Sequence, residues 1–186
     1  LAMMEIPKIK KSQEQKSQQL SLKQLPKFII ATSLDKKNEE LNETELLDIL
    51  HLRLLEILVK NGIEVTNTEK PHLLGKVSIA ELKELSVDLI KEQENTAVLT
   101  LSLRGDINSN SSRLYPSITR MFMSFSVYRG QGEIVWKKTY EAKRLGVRKI
   151  EDLSNVDRQT NYRKVLSKGF NEIEKKGFLN DLGTSF

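Results

Sequence analysis

The sequence predicts an α/β or α+β domain built on one mixed sheet of four or five strands, with helices packed mainly on one face. Three observations lead to this prediction. A strand–helix–strand unit spans residues 26–66, three segments from Thr96 onward alternate apolar and polar residues, and an amphipathic helical stripe lies near the end of the chain. The predicted order is β-α-β-(α)-β-β-β-α, in a single domain over residues 26–180.

The first unit has the size of a βαβ crossover. Residues 26–32, PKFIIAT, form an apolar run that predicts a strand, and IEVT at 63–66 predicts a second one. Asn42 and Glu45 have the spacing of a helix capping pair, and Gly62 stands where a helix end favours a left-handed residue. The helical stripe comprises Leu46, Leu47, Ile49, Leu50, Leu54, Leu55 and Leu58. A unit of this length favours two parallel strands joined by a right-handed crossover.

The stretch 71–92 permits two interpretations. Ser78 and Glu81 form another capping pair, and the apolar residues that follow are spaced as on one helix face, so we expect a helix over 79–92. Val77 and Ile79, or Val87 and Leu89, also alternate as in a strand, so a strand remains the alternative for this stretch.

Three strands and a helix complete the domain. Residues 96–104, 117–128 and 133–143 alternate apolar and polar side chains, and a polar loop over 106–116 separates the first two. A loop over 144–158 leads to a final helix, and residues 181–186 are expected to form a C-terminal tail. This helix is closed by a glycine, and its stripe and end comprise Tyr162, Val165, Leu166, Phe170, Ile173 and Gly177.

The glycines Gly130 and Gly132 raise the question of a phosphate-binding loop. A dinucleotide fingerprint needs a third glycine and a following helix, and a Walker loop needs Gly-Lys-Ser/Thr after four further residues. Here a strand pattern precedes the glycines and another strand pattern follows them. The pair is therefore predicted to form the turn of a β-hairpin.

Composition and charge are typical of a globular domain with a basic tail. The 186 residues are 38% hydrophobic and 30% charged, and they contain no run of the roughly 20 apolar residues that a membrane helix needs. The net charge is +5, and six lysines against two glutamates put most of it on residues 1–27. Residues 1–25 are expected to be a flexible, basic and polar tether. The chain has no cysteine, which excludes disulfides and thiolate zinc sites, and the sequence predicts no cofactor and no metal.

A basic cluster with interleaved aromatic residues follows the hairpin turn. On a strand, Trp136, Lys138 and Tyr140 share one face, while Lys137 and Thr139 share the other. Such a mixture suits an acidic protein surface, an anionic lipid headgroup or nucleic acid. The alternative is that the tryptophan packs in the core and the lysines are a solvated edge that blocks strand addition. The candidate partner-binding residues are Trp136, Lys137, Lys138, Tyr140, Lys143, Arg144 and Arg148.

Two histidines supply the material for a catalytic alternative. His51 and His72 lie far apart in sequence, and an enzyme would need a deep pocket that gathers at least two of His51, His72 and Asp106. A satisfied or exposed histidine is the favoured interpretation of each. We therefore expect no enzymatic activity.

The layout resembles that of a protein group known from bacterial envelopes. Gly62-Ile63-Glu64-Val65 follows the first helix, and Gly132-Glu133-Ile134-Val135-Trp136 begins the second arm of the hairpin. Both segments are similar to those in small α/β domains of envelope lipoproteins, such as the TolB amino-terminal domain, LpoB and PqiC. The resemblance covers roughly residues 26–180 and carries no catalytic residues. It implies a domain hung from a lipid anchor by a flexible linker, although the sequence holds no lipobox cysteine.

Together these features predict a non-enzymatic, envelope lipoprotein-like interaction domain that docks onto a partner in a cell-envelope or secretion assembly. The expected location is periplasmic and anchored at the outer membrane. The first residues, Leu1-Ala2-Met3-Met4, are typical of an artificial junction, so a leader with its anchor is expected upstream of Met4. The alternative function is a nucleic-acid-binding module that uses the basic cluster over 137–149, although nucleic acid is the less expected partner.

Overall fold

The computed structural model describes residues 25–35, 45–91, 93, 95–108, 117–148 and 155–186. The strands are β1 (Lys27–Asp35), β2 (His72–Val77), β3 (Thr96–Asn108), β4 (Ser117–Arg129) and β5 (Glu133–Arg148). The helices are α1 (Glu45–Lys60), α2 (Ile79–Lys91), α3 (Asn155–Lys175) and α4 (Phe178–Thr184).

The strands form one five-stranded mixed sheet in the order β2-β1-β3-β4-β5. β1 runs parallel to both β2 and β3, whereas β3, β4 and β5 pair as an antiparallel meander. The predicted fold class is confirmed. This order leaves β2 and β5 as the two edges of the sheet, and β5 is the longer edge with 16 residues.

The two faces of the sheet are covered unequally. Helices α1, α3 and α4 pack on one face, where alternate residues of β1, β3, β4 and β5 contribute to one large apolar core. Among the described helices, α2 alone lies on the other face, over a small cluster of Ile29, Ala31 and Val98. The helices thus lie mainly on one face, as predicted, and part of the opposite face is left with polar side chains.

The parallel connection differs in detail from the prediction. The segment 63–66 makes only an isolated bridge, Phe28 with Val65, and the full strand β2 begins at His72. Between them the side-chain amide of Asn67 pairs with the backbone of Ile30, accepting its N–H at 2.8 Å and donating to its carbonyl at 2.9 Å. A side chain therefore replaces a strand neighbour at Ile30, which periodicity does not reveal.

The stretch 71–92 contains both of the predicted alternatives in succession. β2 ends at Val77, and the reciprocal capping pair begins α2 directly afterwards. The Ser78 N–H donates to the Glu81 carboxylate at 2.6 Å, and the Glu81 N–H donates to the Ser78 hydroxyl at 3.3 Å. The other predicted pair includes Asn42, which lies outside the described residues, but Gly62 ends α1 with φ 76° as expected.

Three boundaries are longer or later than predicted. β3 continues to Asn108 and β5 to Arg148, so residues placed in loops lie in strands. Residues 181–186, predicted to be a tail, belong to α4 and its end. Leu182 is fully buried, and the Phe186 ring meets the Phe28 ring edge-on at 5.9 Å. Burial against residues far along the chain holds this short helix, so its own sequence gives little signal.

Candidate functional site

The Gly130–Gly132 segment is the turn between β4 and β5, as predicted. Both glycines have positive φ, 53° and 94°, and the Gly132 N–H donates to the Arg129 carbonyl at 3.0 Å. At Gly132 a side chain is also excluded by packing, because an added Cβ would lie 2.8 Å from Val87 Cγ2 on α2. The two glycines thus serve turn geometry and a close helix contact.

Strand β5 carries all of the candidate partner-binding residues, and successive side chains alternate between the faces of the sheet. Trp136, Lys138 and Tyr140 face the large core, whereas Lys137 and Thr139 face the α2 side. The backbone of Lys143, Arg144 and Arg148 also lies in β5, opposite β4. The side chains of these last three residues lie outside the described part of the molecule.

Trp136 belongs to an aromatic cluster that joins β5 to α4. Its ring lies 6.2 Å from that of Phe125 and 6.1 Å from that of Phe178, and these two phenylalanines stack at 4.4 Å. The Tyr140 ring meets Phe178 edge-on at 6.1 Å. Trp136 stays partly exposed at the border of this core, so it combines a packing role with an accessible edge.

Lys138 and Tyr140 converge on one carboxylate of α4. The Lys138 ammonium donates to Asp181 Oδ2 at 2.5 Å, and the Tyr140 hydroxyl donates to the same oxygen at 2.6 Å. The hydrogen bond from Lys138, followed by the one from Tyr140, lowers the pKa of Asp181. Burial, and then the hydrogen bond to Asp181, raises the pKa of the Tyr140 phenol. These contacts tie the short helix to the edge strand.

Lys137 has different surroundings from its neighbour. Its side chain is exposed on the α2 side, and within the described ranges its ammonium makes no ion pair. Beside it, the hydroxyls of Thr139 and Ser124 share a hydrogen bond of 2.8 Å across the two strands. Of the two adjacent lysines, Lys137 therefore has its ammonium available to a ligand, whereas Lys138 is engaged within the fold.

The outer edge of β5 is closed at one point. The Lys176 ammonium, from the α3–α4 turn, donates to the backbone carbonyl of Glu141. A strand added at this position would have to displace that lysine. The edge is therefore partly protected against indiscriminate strand addition.

Neither His51 nor His72 lines the cavity between α1 and α3 or the cavity between α2 and the sheet. His51 on α1 is 1% exposed, and neither ring nitrogen has a hydrogen-bond partner among the described residues. Burial lowers its pKa, the Asp48 carboxylate opposes that, and the charge of His72 adds to the lowering. His72 begins β2, and the backbone of Asp106 lies in β3 opposite Arg120. The side chain of Asp106 lies outside the described part.

Two cavities that the sequence did not predict flank the sheet and helices. One, of about 490 Å³, lies between α1 and α3, and its lining combines charged side chains with apolar ones that include the exposed Leu52. The other, of about 560 Å³, lies between α2 and the sheet and has a floor of hydroxyl side chains. The sequence signal for the second is serine or threonine at alternate positions of β3 and β4, with one threonine, Thr139, in β5.

Two further features concern membranes and metals. Over the part of the chain that the structure describes, every helix is too short or too polar to cross a membrane. In the same part, histidine and acidic side chains form no group of three or more suited to hold a metal ion.

Comparisons with known proteins show weak similarity of fold. No protein-family model matches the sequence, and no curated protein matches it either. Among solved structures, the lipoprotein GNA1162 from Neisseria meningitidis is 12% identical with a TM-score of 0.41, covering 81% of this chain and 99% of that one. The hypothetical protein CT253 from Chlamydia trachomatis is 15% identical with a TM-score of 0.43, over 81% and 95%. A neuraminyllactose-binding hemagglutinin homolog from Helicobacter pylori is 13% identical with a TM-score of 0.36, over 86% and 89%. These scores are too low to support a shared function.

Proposed function

We propose that this chain is a non-enzymatic interaction domain of a bacterial cell envelope, and that it docks an acidic segment of a partner protein along β5. The observation that carries the proposal is the placement of the basic cluster on the long edge strand of the sheet. One side of β5 pairs with β4, and no other strand of the described sheet lies beyond it. An edge strand offers backbone groups to an extended segment, and basic side chains select an acidic one.

The residues of β5 have two roles in this proposal, which are anchoring of the strand and recognition of the partner. Trp136, Lys138 and Tyr140 fix the strand against α4, which keeps the edge in one conformation before a partner arrives. Lys137 and the positions of Lys143, Arg144 and Arg148 supply the recognition charge. A preordered edge loses less conformational entropy on binding than a flexible one.

We place the domain in the cell envelope because its sequence layout resembles that of the TolB amino-terminal domain, LpoB and PqiC. In that arrangement a lipid anchor upstream of Met4 would hold the domain at the outer membrane, facing the periplasm. The polar composition of residues 1–25 suits a linker between anchor and domain. The partner would then be another envelope protein or a component of a secretion or transport complex.

Charge reversal on β5 tests the docking surface. We expect the triple variant Lys137→Glu, Lys143→Glu and Arg144→Glu to capture at least about tenfold less of its partner from envelope extracts, because several ion pairs become repulsive. Lys138 is left unchanged, since its loss would disturb α4. A matched control reverses Lys60 at the end of α1, Lys70 before β2 and Lys91 at the end of α2, which are outside β5. Equal capture by wild type, triple variant and control would refute docking on β5.

The same variants distinguish protein docking from the alternative that β5 binds nucleic acid. If β5 bound nucleic acid, the wild type would shift DNA or RNA at low salt, the shift would fall steeply with added salt, and the triple variant would lose it. Capture of a protein without any such shift supports the proposal made here.

A further inference from the structure

The cavity under α2 has the features of a ligand site that shares Lys137 with the β5 edge. We call it the hydroxyl groove. Its volume is about 560 Å³, within the range of small-molecule pockets. Its walls combine the start of α2 with residues of β3, β4 and β5, most of them polar.

The floor of the hydroxyl groove is polar where a helix-covered sheet face is normally apolar. Thr100 is 1% exposed and Ser126 is 7% exposed, and both lie on this floor. Ser102 and Ser124 continue it towards the open end, where Thr139 adds a further hydroxyl. Thr100 donates to the Ser126 carbonyl at 3.3 Å, and Ser124 and Thr139 share a hydrogen bond of 2.8 Å, so these hydroxyls already have partners within the fold. A hydroxyl oxygen has two lone pairs, so the row can also accept hydrogen bonds from a polar guest.

Cationic groups stand at the border of this floor. The lining includes the cations Arg104 and Lys137 and the carboxylate Asp35. The Arg104 guanidinium lies 4.3 Å from the centre of the Phe122 ring, which restricts its movement. The Lys137 ammonium makes no ion pair among the described residues and can therefore turn to a guest.

The amino-terminal end of α2 completes the wall. Ser78, Ile79 and Ala80 line the hydroxyl groove, and α2 begins at Ile79. Its capping pair engages the N–H groups of Ser78 and Glu81. The Glu81 carboxylate already lies at the positive end of α2, so the attraction for an anion is assigned to the lysine of the lining, Lys137.

From these features we infer that the hydroxyl groove binds a compact ligand that carries one carboxylate or phosphate group and several hydroxyl groups. The anionic group lies beside Lys137, and the hydroxyls of the ligand bond with the Ser and Thr side chains of the floor. The apolar side of the ligand rests on α2 at Ile79 and Leu82. Such a site would allow the domain to sense a small component of the envelope, with Lys137 common to this site and to the docking strand.

Matched sugars test both parts of the inference. Glucuronate, glucose 6-phosphate and glucose share a pyranose ring and differ in charge, and their binding can be followed by NMR amide shifts. We expect one or both charged sugars to shift Thr100, Ser126 and Thr139 in the millimolar range. Because one charged contact at a part-exposed site changes affinity by about fivefold, glucose should bind about five times more weakly. The stronger of the two charged sugars identifies carboxylate or phosphate as the preferred group.

Variants locate the binding. Lys137→Met should weaken the charged sugars about fivefold and leave glucose unchanged, whereas Lys60→Met on α1, which packs on the opposite face of the sheet, should leave all three unchanged. Ser102→Leu should abolish binding by filling the hydroxyl groove, and Ser102→Thr, which keeps the hydroxyl, should retain it. The inference is overturned if no sugar shifts the groove residues, if glucose binds equally well, or if Ser102→Leu binds normally while folded. Partner capture at β5 by Ser102→Leu should be unaffected, which separates failure here from failure of the proposed function.

Discussion

Replacing His51 with leucine should remove a pH-dependent weakness from the helical core. His51 is 1% exposed on α1, and neither ring nitrogen has a hydrogen-bond partner among the described residues. An unpartnered buried polar group costs about 1–3 kcal/mol, so an apolar side chain of similar size should leave stability at pH 7.5 unchanged or raise it by about 1 kcal/mol.

The larger effect of the substitution is expected on stability at acidic pH. Burial lowers the pKa of His51 in the folded protein, so the unfolded chain takes up the proton first as the pH falls. Stability is then lost below the unfolded pKa of about 6.5. If the folded imidazole stays neutral, the loss between pH 7.5 and 5.5 reaches about 1.4 kcal/mol, the free energy of protonating the unfolded imidazole one unit below its pKa.

Denaturant unfolding at the two pH values, followed by the fluorescence of the single tryptophan, measures this difference. We expect the His51→Leu variant to lose about 1 kcal/mol less than the wild type over this pH interval. His72→Gln is the matched control, since it removes the other histidine and keeps the buried ring, and it should retain most of the wild-type slope. An unchanged slope in His51→Leu, or a loss of more than about 2 kcal/mol at pH 7.5, would refute the reasoning.

Three other perturbations have expected outcomes in the same unfolding assay. Asp181→Asn should lower stability by about 1–2 kcal/mol by weakening two charge-assisted hydrogen bonds at a part-exposed site. Because the pKa of this carboxyl is lowered in the fold, its contribution is present above about pH 3.9 and is lost below it, so variant and wild type should converge in acid. Gly132→Ala should cost about 2–4 kcal/mol, since it adds a clash to a positive φ, whereas Gly130→Ala should cost only about 1–2 kcal/mol for the φ alone. Lys138→Glu should cost about 1–2 kcal/mol because it faces a carboxylate, and Lys137→Glu should be within about 0.5 kcal/mol of the wild type; equal losses would contradict the division between the two lysines.

The sequence predicted those strands and helices whose formation depends on residues close together in the chain. The alternation over 96–103 and 121–127 gave β3 and β4, because one face of each strand is buried. Ser78 and Glu81 gave the start of α2, since their capping contacts span three residues. Elements fixed by distant partners were missed or misplaced. β2 contains Gly75 with φ 69° and pairs with β1 around an irregular register, so it lacks a clean period of two.

The candidate site shows the same limit. The sequence correctly assigned Trp136, Lys138 and Tyr140 to one face of β5 and Lys137 to the other. It left open which face meets the core, because the answer depends on Phe178 and Asp181, which lie in a helix that the sequence had not revealed. The hydroxyl groove was not predicted from the sequence for a related reason. A polar strand position indicates solvent on average, and only the packing of α2 turns this surface into a cavity.

The aromatic cluster under β5 has a consequence for the order of folding. Phe178 is fully buried and stacks on Phe125 at 4.4 Å, and Tyr140 bonds to Asp181 across 41 residues of sequence. Contacts between residues so far apart carry the entropy cost of closing a long loop, so β5 gains its anchoring helix late in folding. Until then β5 is an unsupported edge strand that is open to pairing with other chains.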